Sequence, residues 1–146
     1  YYCDFETVAE EFLPRLKGLF AQVYQHARYE LGAVTELPAG SYAVGVTVEP
    51  MDIIPLINRD FDAYMEPFFT RYSAEVIEAL DDEEFLDMER EWAGMILDLF
   101  EEKLPQMGHL EPQGLLIRVE RDEKGCWGVR DEELAAVDEV MIEYEV

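Results

Sequence analysis

Between Phe61 and Leu104 the chain carries two apolar stripes of helical period on a dense acidic background, and this stretch restricts the fold most. Phe68, Tyr72, Val76 and Leu80 recur every fourth residue. After an acidic break, Phe85, Met88, Trp92, Met95, Leu99 and Leu104 recur at steps of three to five. Such spacing lines side chains along one side of an α-helix. Asp81, Asp82, Glu83, Glu84, Asp87, Glu89, Glu91, Asp98, Glu101 and Glu102 lie between and opposite the stripes. The expectation is two amphipathic helices with anionic outer faces, Trp92 turned to the core, and Glu89 and Glu91 turned to solvent.

The acidity extends to the whole chain. With 34 Asp and Glu against 11 Lys and Arg in 146 residues, the formal net charge is −23. Nucleic-acid backbones and anionic membrane surfaces need clustered Lys and Arg, so both are excluded as expected partners. A cationic partner suits such a field. Hydrophobic residues make up 49%, including eight Phe, eight Tyr and two Trp, which argues for a folded core. No apolar run approaches the roughly 18 residues that cross a bilayer, and no basic-then-apolar leader opens the chain. Cys3 and Cys126 have no CxxC spacing, and His26 and His109 stand in unrelated contexts, so no zinc site is expected. Two free thiols fit a reducing cytoplasm.

In chain order, Thr7-Val-Ala-Glu10 has the capping-box pattern, followed by apolar positions from Val8 to Leu31 that predict a helix over 8–31 with Gly32 as its stop. Leu37-Pro-Ala-Gly40 reads as a turn. The segment 41–49 alternates as a strand, with Tyr42, Val44, Val46 and Val48 on one face and the small Ala43, Gly45 and Thr47 on the other. Small residues there allow a helix, or a ligand, to come close. A helical section follows over 52–104, with an expected break at Pro67 and a close at Leu104-Pro-Gln-Met-Gly108. Alternation then predicts strands over 115–121, 126–130 and 139–146. Asp122-Glu-Lys-Gly125 is a hairpin signal, and 131–138 a short helical or loop crossing. A strand, helices and then three strands make an α+β fold, an antiparallel sheet of about four strands with several helices on one face. One domain over 1–146 is expected from the length.

Two segments resemble the GyrI-like effector-binding domains found alone and in MerR-type transcription regulators. One is Glu36-Leu-Pro-Ala-Gly-Ser-Tyr-Ala-Val44; the other runs from Leu110-Glu-Pro-Gln-Gly114 to Asp138-Glu-Val-Met-Ile-Glu-Tyr-Glu-Val146. They cover about a third of the chain, and its helical section is longer than that family's. The resemblance implies a small, cationic or amphipathic ligand held in a groove lined by aromatics and a carboxylate.

No reaction is legible. Glu75 and Glu78, Glu84 and Asp87, Asp87 and Glu91, and Asp98 and Glu102 are each one helical turn apart, but no Glu-x-x-His completes a di-iron pattern. The Asp81 cluster puts Phe85 at the fifth position of a calcium loop and lacks its Gly. A phosphate loop, a nucleophile elbow and an HExxH are all absent. The expected class is therefore a non-enzymatic binding or regulatory domain without metal or cofactor.

In the leading form a small amphipathic or cationic molecule lies between sheet and helices. Tyr42, Trp92, Trp127 and Tyr144 supply aromatic faces, and Glu120 or Glu143 the charge partner. The alternative is an acidic inhibitor, a nucleic-acid mimic or immunity-type protein, that occludes a basic protein. Asp81, Glu84, Asp87 and Glu91 would then form the working surface.

Overall fold

The acidic break ahead of the second apolar stripe is a helix start. In the computed structural model, which describes residues 9–145, α4 runs over Asp82–Lys103 with Asp81 as its N-cap. Glu84 N donates to Asp81 Oδ1 at 2.8 Å, and Asp81 N donates to Glu84 Oε2 at 3.0 Å. Two amide protons that a helix start would leave unmatched are thereby satisfied. The capping-box pattern at Thr7 and the residue Cys3 lie outside the described residues.

α4 buries more of its circumference than one stripe. Met88 and Leu99 are buried as expected, and so is a second row of Glu89, Ala93, Leu97, Phe100 and Lys103. The outward placement of Glu89 is thus corrected: it is 2% exposed. Its neighbours at steps of four and eight are Ala93 and Leu97, so a second apolar row carries it inward. Trp92 is half-buried and packs with Phe61 and Phe85 on a core of Met65, Phe68 and Met88.

α2 covers Ile53–Arg71 and passes through Pro67, where a break was expected. One missing amide proton costs a single helical bond without ending the helix. The interruption comes at Tyr72-Ser73, where Ser73 caps the short α3, Ala74–Ala79, by accepting from Val76 N. The stripe through Phe68, Tyr72, Val76 and Leu80 therefore spans two helices, and Val76 is exposed.

α1, Ala9–Tyr24, buries Leu19 and Val23 and sets Phe20 edge-on to Phe100 of α4, 5.4 Å between ring centres. Arg15 bonds Asp98 and Glu101 of α4 at 2.6 and 3.0 Å, and Arg90 reaches back to Glu11 at 3.1 Å.

The predicted helix over 8–31 is too long. Arg28–Glu36 is a strand, β1, paired antiparallel with β2, Tyr42–Glu49. Leu31 continues the step-of-four series from Ala27, so periodicity alone extends the helix across the turn. The register shifts between Leu31 and Val34, where a Cβ on Gly32 would meet the Gly45 carbonyl at 3.4 Å. The element that approaches the small face of β2 at Gly45 is therefore the bulge of β1, and Gly32 serves that approach rather than a helix end.

β2 also pairs with β3, Gln113–Arg121, and β3 with β4, Trp127–Val129. The sheet is antiparallel in the order β1-β2-β3-β4, so the class is α+β. The Asp122–Gly125 hairpin forms as expected. Gly125 takes φ 81°, and Asp122 Oδ1 accepts from the amides of Lys124 and Cys126. Val46 and Val48 are buried while Thr47 is exposed, as the alternation requires.

The expected last strand over 139–146 is replaced. α5 runs over Asp131–Met141 and lies against β2 and β3. Val137, Val140 and Met141 suit a helix by their steps of three and four, and the alternation from Val140 onward is too short to override it. After α5, Ile142 makes a single parallel bridge to Met51, and Glu143 N donates to the Met51 carbonyl at 2.9 Å. Val146 lies outside the described residues.

The chain divides into two compact units, each made of two stretches. One takes the chain up to Gln25 and Pro55–Met107; the other takes His26–Ile54 and the chain from Gly108 onward.

Candidate functional site

The helix break at Tyr72-Ser73 leaves a concavity in the helical unit. Phe68 and Phe69 come from the last turns of α2, Tyr72 and Ser73 from the turn, Ala74 and Ile77 from α3, and Trp92 from α4. They enclose about 220 Å³. Phe68 is buried, whereas Phe69, Ser73 and Ala74 are exposed. The rings are mutually tilted: Trp92 lies 5.2 Å from Phe68, 5.7 Å from Phe69 and 5.8 Å from Phe61 between centres. Tilted and edge-to-face contacts are the favoured geometries for aromatic pairs.

Polar groups at this pocket are few. The Tyr72 hydroxyl donates to Glu91 Oε2 at 2.9 Å, and Glu91 is ion-paired with Arg71. Arg71 lies 5.4 Å from the centre of the Tyr72 ring. Burial, reinforced by the bond to Glu91, pushes the Tyr72 hydroxyl above the ordinary tyrosine pKa. The Trp92 Nε1 atom is buried and has no hydrogen-bond acceptor among the described residues.

The aromatics singled out from the sequence do not form one groove. Trp92 belongs to the helical unit, and Tyr42, Trp127, Glu120, Glu143 and Tyr144 to the other. Within that unit Tyr42 and Trp127 meet at 5.5 Å between centres, because Tyr42 opposes Val119 and Val119 opposes Val129 on one face of the sheet. With Glu120 they line an open hollow beside the Pro38–Gly40 turn. Glu143 and Tyr144 follow α5 and do not line that hollow. Glu143 Oε1 instead accepts from Glu145 N.

Charge at the sheet hollow is matched internally. Glu120 faces Arg130 at 2.8 Å and Arg118 at 3.5 Å. Arg121 lies 4.8 Å from the Trp127 ring centre, where a ligand cation would otherwise sit. Every other arginine has a carboxylate oxygen within 4 Å.

The four carboxylates of the expected acidic surface are also engaged within the chain. Asp81 and Glu84 close the capping box, Asp87 holds Arg90 at 3.0 Å, and Glu91 joins Arg71 and Tyr72.

Sequence reasoning had Phe68, Tyr72 and Trp92 on its stripes but did not bring them together as a pocket, and it missed Phe69 and Ile77. The available signal was Ser73, a favoured N-cap with Glu75 in the turn that follows.

No family model and no curated protein matches this chain. Among solved structures it is similar to YcdA, a candidate lipoprotein of Bacillus subtilis subsp. subtilis strain 168. The TM-score is 0.56 at 17% identity, over 88% of this chain and 37% of that one. The chain thus spans little more than a third of that protein, and at such identity the likeness is one of fold. Among the described residues, no helix is long and apolar enough to cross a membrane.

Proposed function

We propose that this protein is a non-enzymatic binding module whose helical unit holds a small amphipathic molecule in the Phe68–Trp92 pocket. The observation that carries this reading is an aromatic concavity of about 220 Å³ with a buried floor and an exposed rim. Concave, mostly apolar sites with few polar groups are the usual places for small ligands. The segments 36–44 and 110–146 that resemble GyrI-like domains belong to the other unit, so the reading rests on the pocket and not on that resemblance. The alternative, occlusion of a basic partner, is less favoured because two of its four carboxylates, Asp87 and Glu91, are already ion-paired with Arg90 and Arg71, while Asp81 and Glu84 close the capping box.

The test uses Trp127→Phe, which leaves Trp92 as the single tryptophan. Titration with phenol and with phenyltrimethylammonium should change Trp92 emission saturably for at least one of them. Linear, unsaturable responses to both would sink the reading.

A further inference from the structure

Arg121 is the exception in a chain that otherwise pairs its arginines. Among the described residues it is the one arginine with no carboxylate oxygen within 4 Å. The acids beside it in sequence are engaged elsewhere. Glu120 faces Arg130 and Arg118, and Asp122 Oδ1 accepts from the amides of Lys124 and Cys126. Arg118, Arg121, Lys124 and Arg130 outnumber Glu120, Asp122 and Glu123 along this hairpin, a basic island in a chain of net charge −23. Arg121 opposes Trp127 across β3 and β4, and its guanidinium lies 4.8 Å from that ring's centre. A guanidinium held by its face on an aromatic ring keeps its N–H edges for an acceptor. Both side chains are exposed, so a solute can reach them.

We propose that the sheet hollow beside the Pro38–Gly40 turn is an anion site, and that its occupant is a small carboxylate on a planar apolar body. The Arg121 fork matches the two carboxylate oxygens. The Ser41 hydroxyl, which also lines the hollow, can add a further donor. Tyr42 and Trp127, 5.5 Å apart between centres, supply the apolar wall. The hollow encloses about 450 Å³, within the range of roughly 300–1,000 Å³ that small-molecule sites span. The apolar body is required because an exposed ion pair alone is weak, and the chain's surplus acids repel anions at long range. A bare anion is therefore not retained. This site is separate from the Phe68–Trp92 pocket, and neither assignment rests on the other.

The two tryptophan side-chain N–H signals of the ¹⁵N-labelled full chain report on the two sites, and Trp127→Phe identifies the Trp127 signal by its loss. Benzoate, acetate and phenyltrimethylammonium are titrated at constant ionic strength. The expected result is a saturable shift of the Trp127 signal with benzoate, at an affinity about fivefold or more above acetate, as contact with the aromatic wall implies. Arg121→Gln should weaken benzoate roughly tenfold or more, the size of one charge-assisted hydrogen bond. Arg121 is exposed, so an unmoved Trp92 signal in that variant shows the fold to be intact. A linear response to benzoate, equal affinity for acetate, tighter binding of the cation, or undiminished benzoate binding by Arg121→Gln overturns the site. A benzoate shift confined to the Trp92 signal overturns it as well, and supports the helical pocket instead.

Discussion

The Tyr72 hydroxyl donates to Glu91 Oε2 at 2.9 Å, which ties a wall of the aromatic pocket to the acidic side of α4. Glu91 keeps Arg71 as a second partner, so losing the hydroxyl does not strand a charge. Tyr72→Phe should cost about 0.5–1.5 kcal/mol at neutral pH, the usual net value of one hydrogen bond. Burial first, and then the bond to Glu91, raise the Tyr72 pKa; burial also raises that of Tyr64. A raised tyrosine pKa means that folding favours the neutral form. Its stability contribution is full below the unfolded value near 10 and is lost as pH climbs through the higher native value. Urea melts at pH 7 and pH 10.5 should show wild type losing more stability than Tyr72→Phe over that interval. Parallel losses would mean that the hydroxyl is not held neutral by the fold.

α4 makes the second prediction, because its buried arc includes a carboxylate. Glu89 is 2% exposed, whereas Glu102 on the same helix is exposed. Glu89→Ala opens a void in a packed region and should cost more than about 1 kcal/mol. Glu102→Ala should change stability by less than about 0.5 kcal/mol. Trp92→Ala, which removes contacts to Phe61, Phe68 and Phe69, should cost about 3 kcal/mol. Denaturant unfolding of the three variants checks the order Trp92, Glu89, Glu102. An innocuous Glu89→Ala would put that side chain back at the surface.

Much of this fold was legible because period and turn chemistry agree. The 42–49 alternation, the Asp122–Gly125 hairpin and the α4 stripe each have residues that favour one local structure. The errors fall where two periods fit the same residues. Ala27 and Leu31 are one helical step apart, yet Tyr29 and Leu31 are also one strand step apart, and only pairing with β2 decides. Val140 and Ile142 alternate, but Val137, Val140 and Met141 also form a helical row that α5 buries in part. The pocket was illegible for a different reason. Phe68, Tyr72 and Trp92 lie on separate elements, and their meeting depends on a two-residue break after Arg71. No periodicity records such an angle.

Lys103 is buried with Asp60 of α2 as its ion-pair partner, and Asp60 itself is partly exposed. The bond from Lys103 Nζ holds the Asp60 carboxyl below the ordinary carboxylate pKa. A lowered pKa adds stability above the unfolded value near 4, and that part is lost as pH falls through the native value. Asp60→Asn should therefore lower Tm at pH 7 and flatten its decline between pH 4 and pH 2. Lys103→Met removes the buried charge altogether and should remain within about 1 kcal/mol of wild type, since apolar replacement of a buried ion is commonly tolerated. Thermal melts of both variants over that pH range test the pair. Equal Tm losses in the two variants, both of which lack the ion pair, would show the bond itself, rather than the stranded ammonium, to be what matters.

The remaining charge makes the last prediction. Carboxylates outnumber basic side chains by roughly three to one, and among the described residues every arginine except Arg121 already faces a carboxylate. The surplus is concentrated in places such as Asp81 to Glu84, four consecutive exposed acids. Sodium chloride weakens two opposing effects. Exposed ion pairs contribute only about 0.2–1 kcal/mol each, whereas repulsion acts among all the surplus carboxylates within a Debye length, about 10 Å at 0.1 M. Repulsion is the larger, so Tm should rise between 20 and 200 mM sodium chloride. Chloride serves better than sulfate here, because sulfate strengthens apolar burial by its exclusion from the surface. A Tm that falls over this range would mean that the ion pairs of Arg15, Arg71 and Arg90 outweigh the repulsion, and that the excess acids are spaced widely enough to ignore one another.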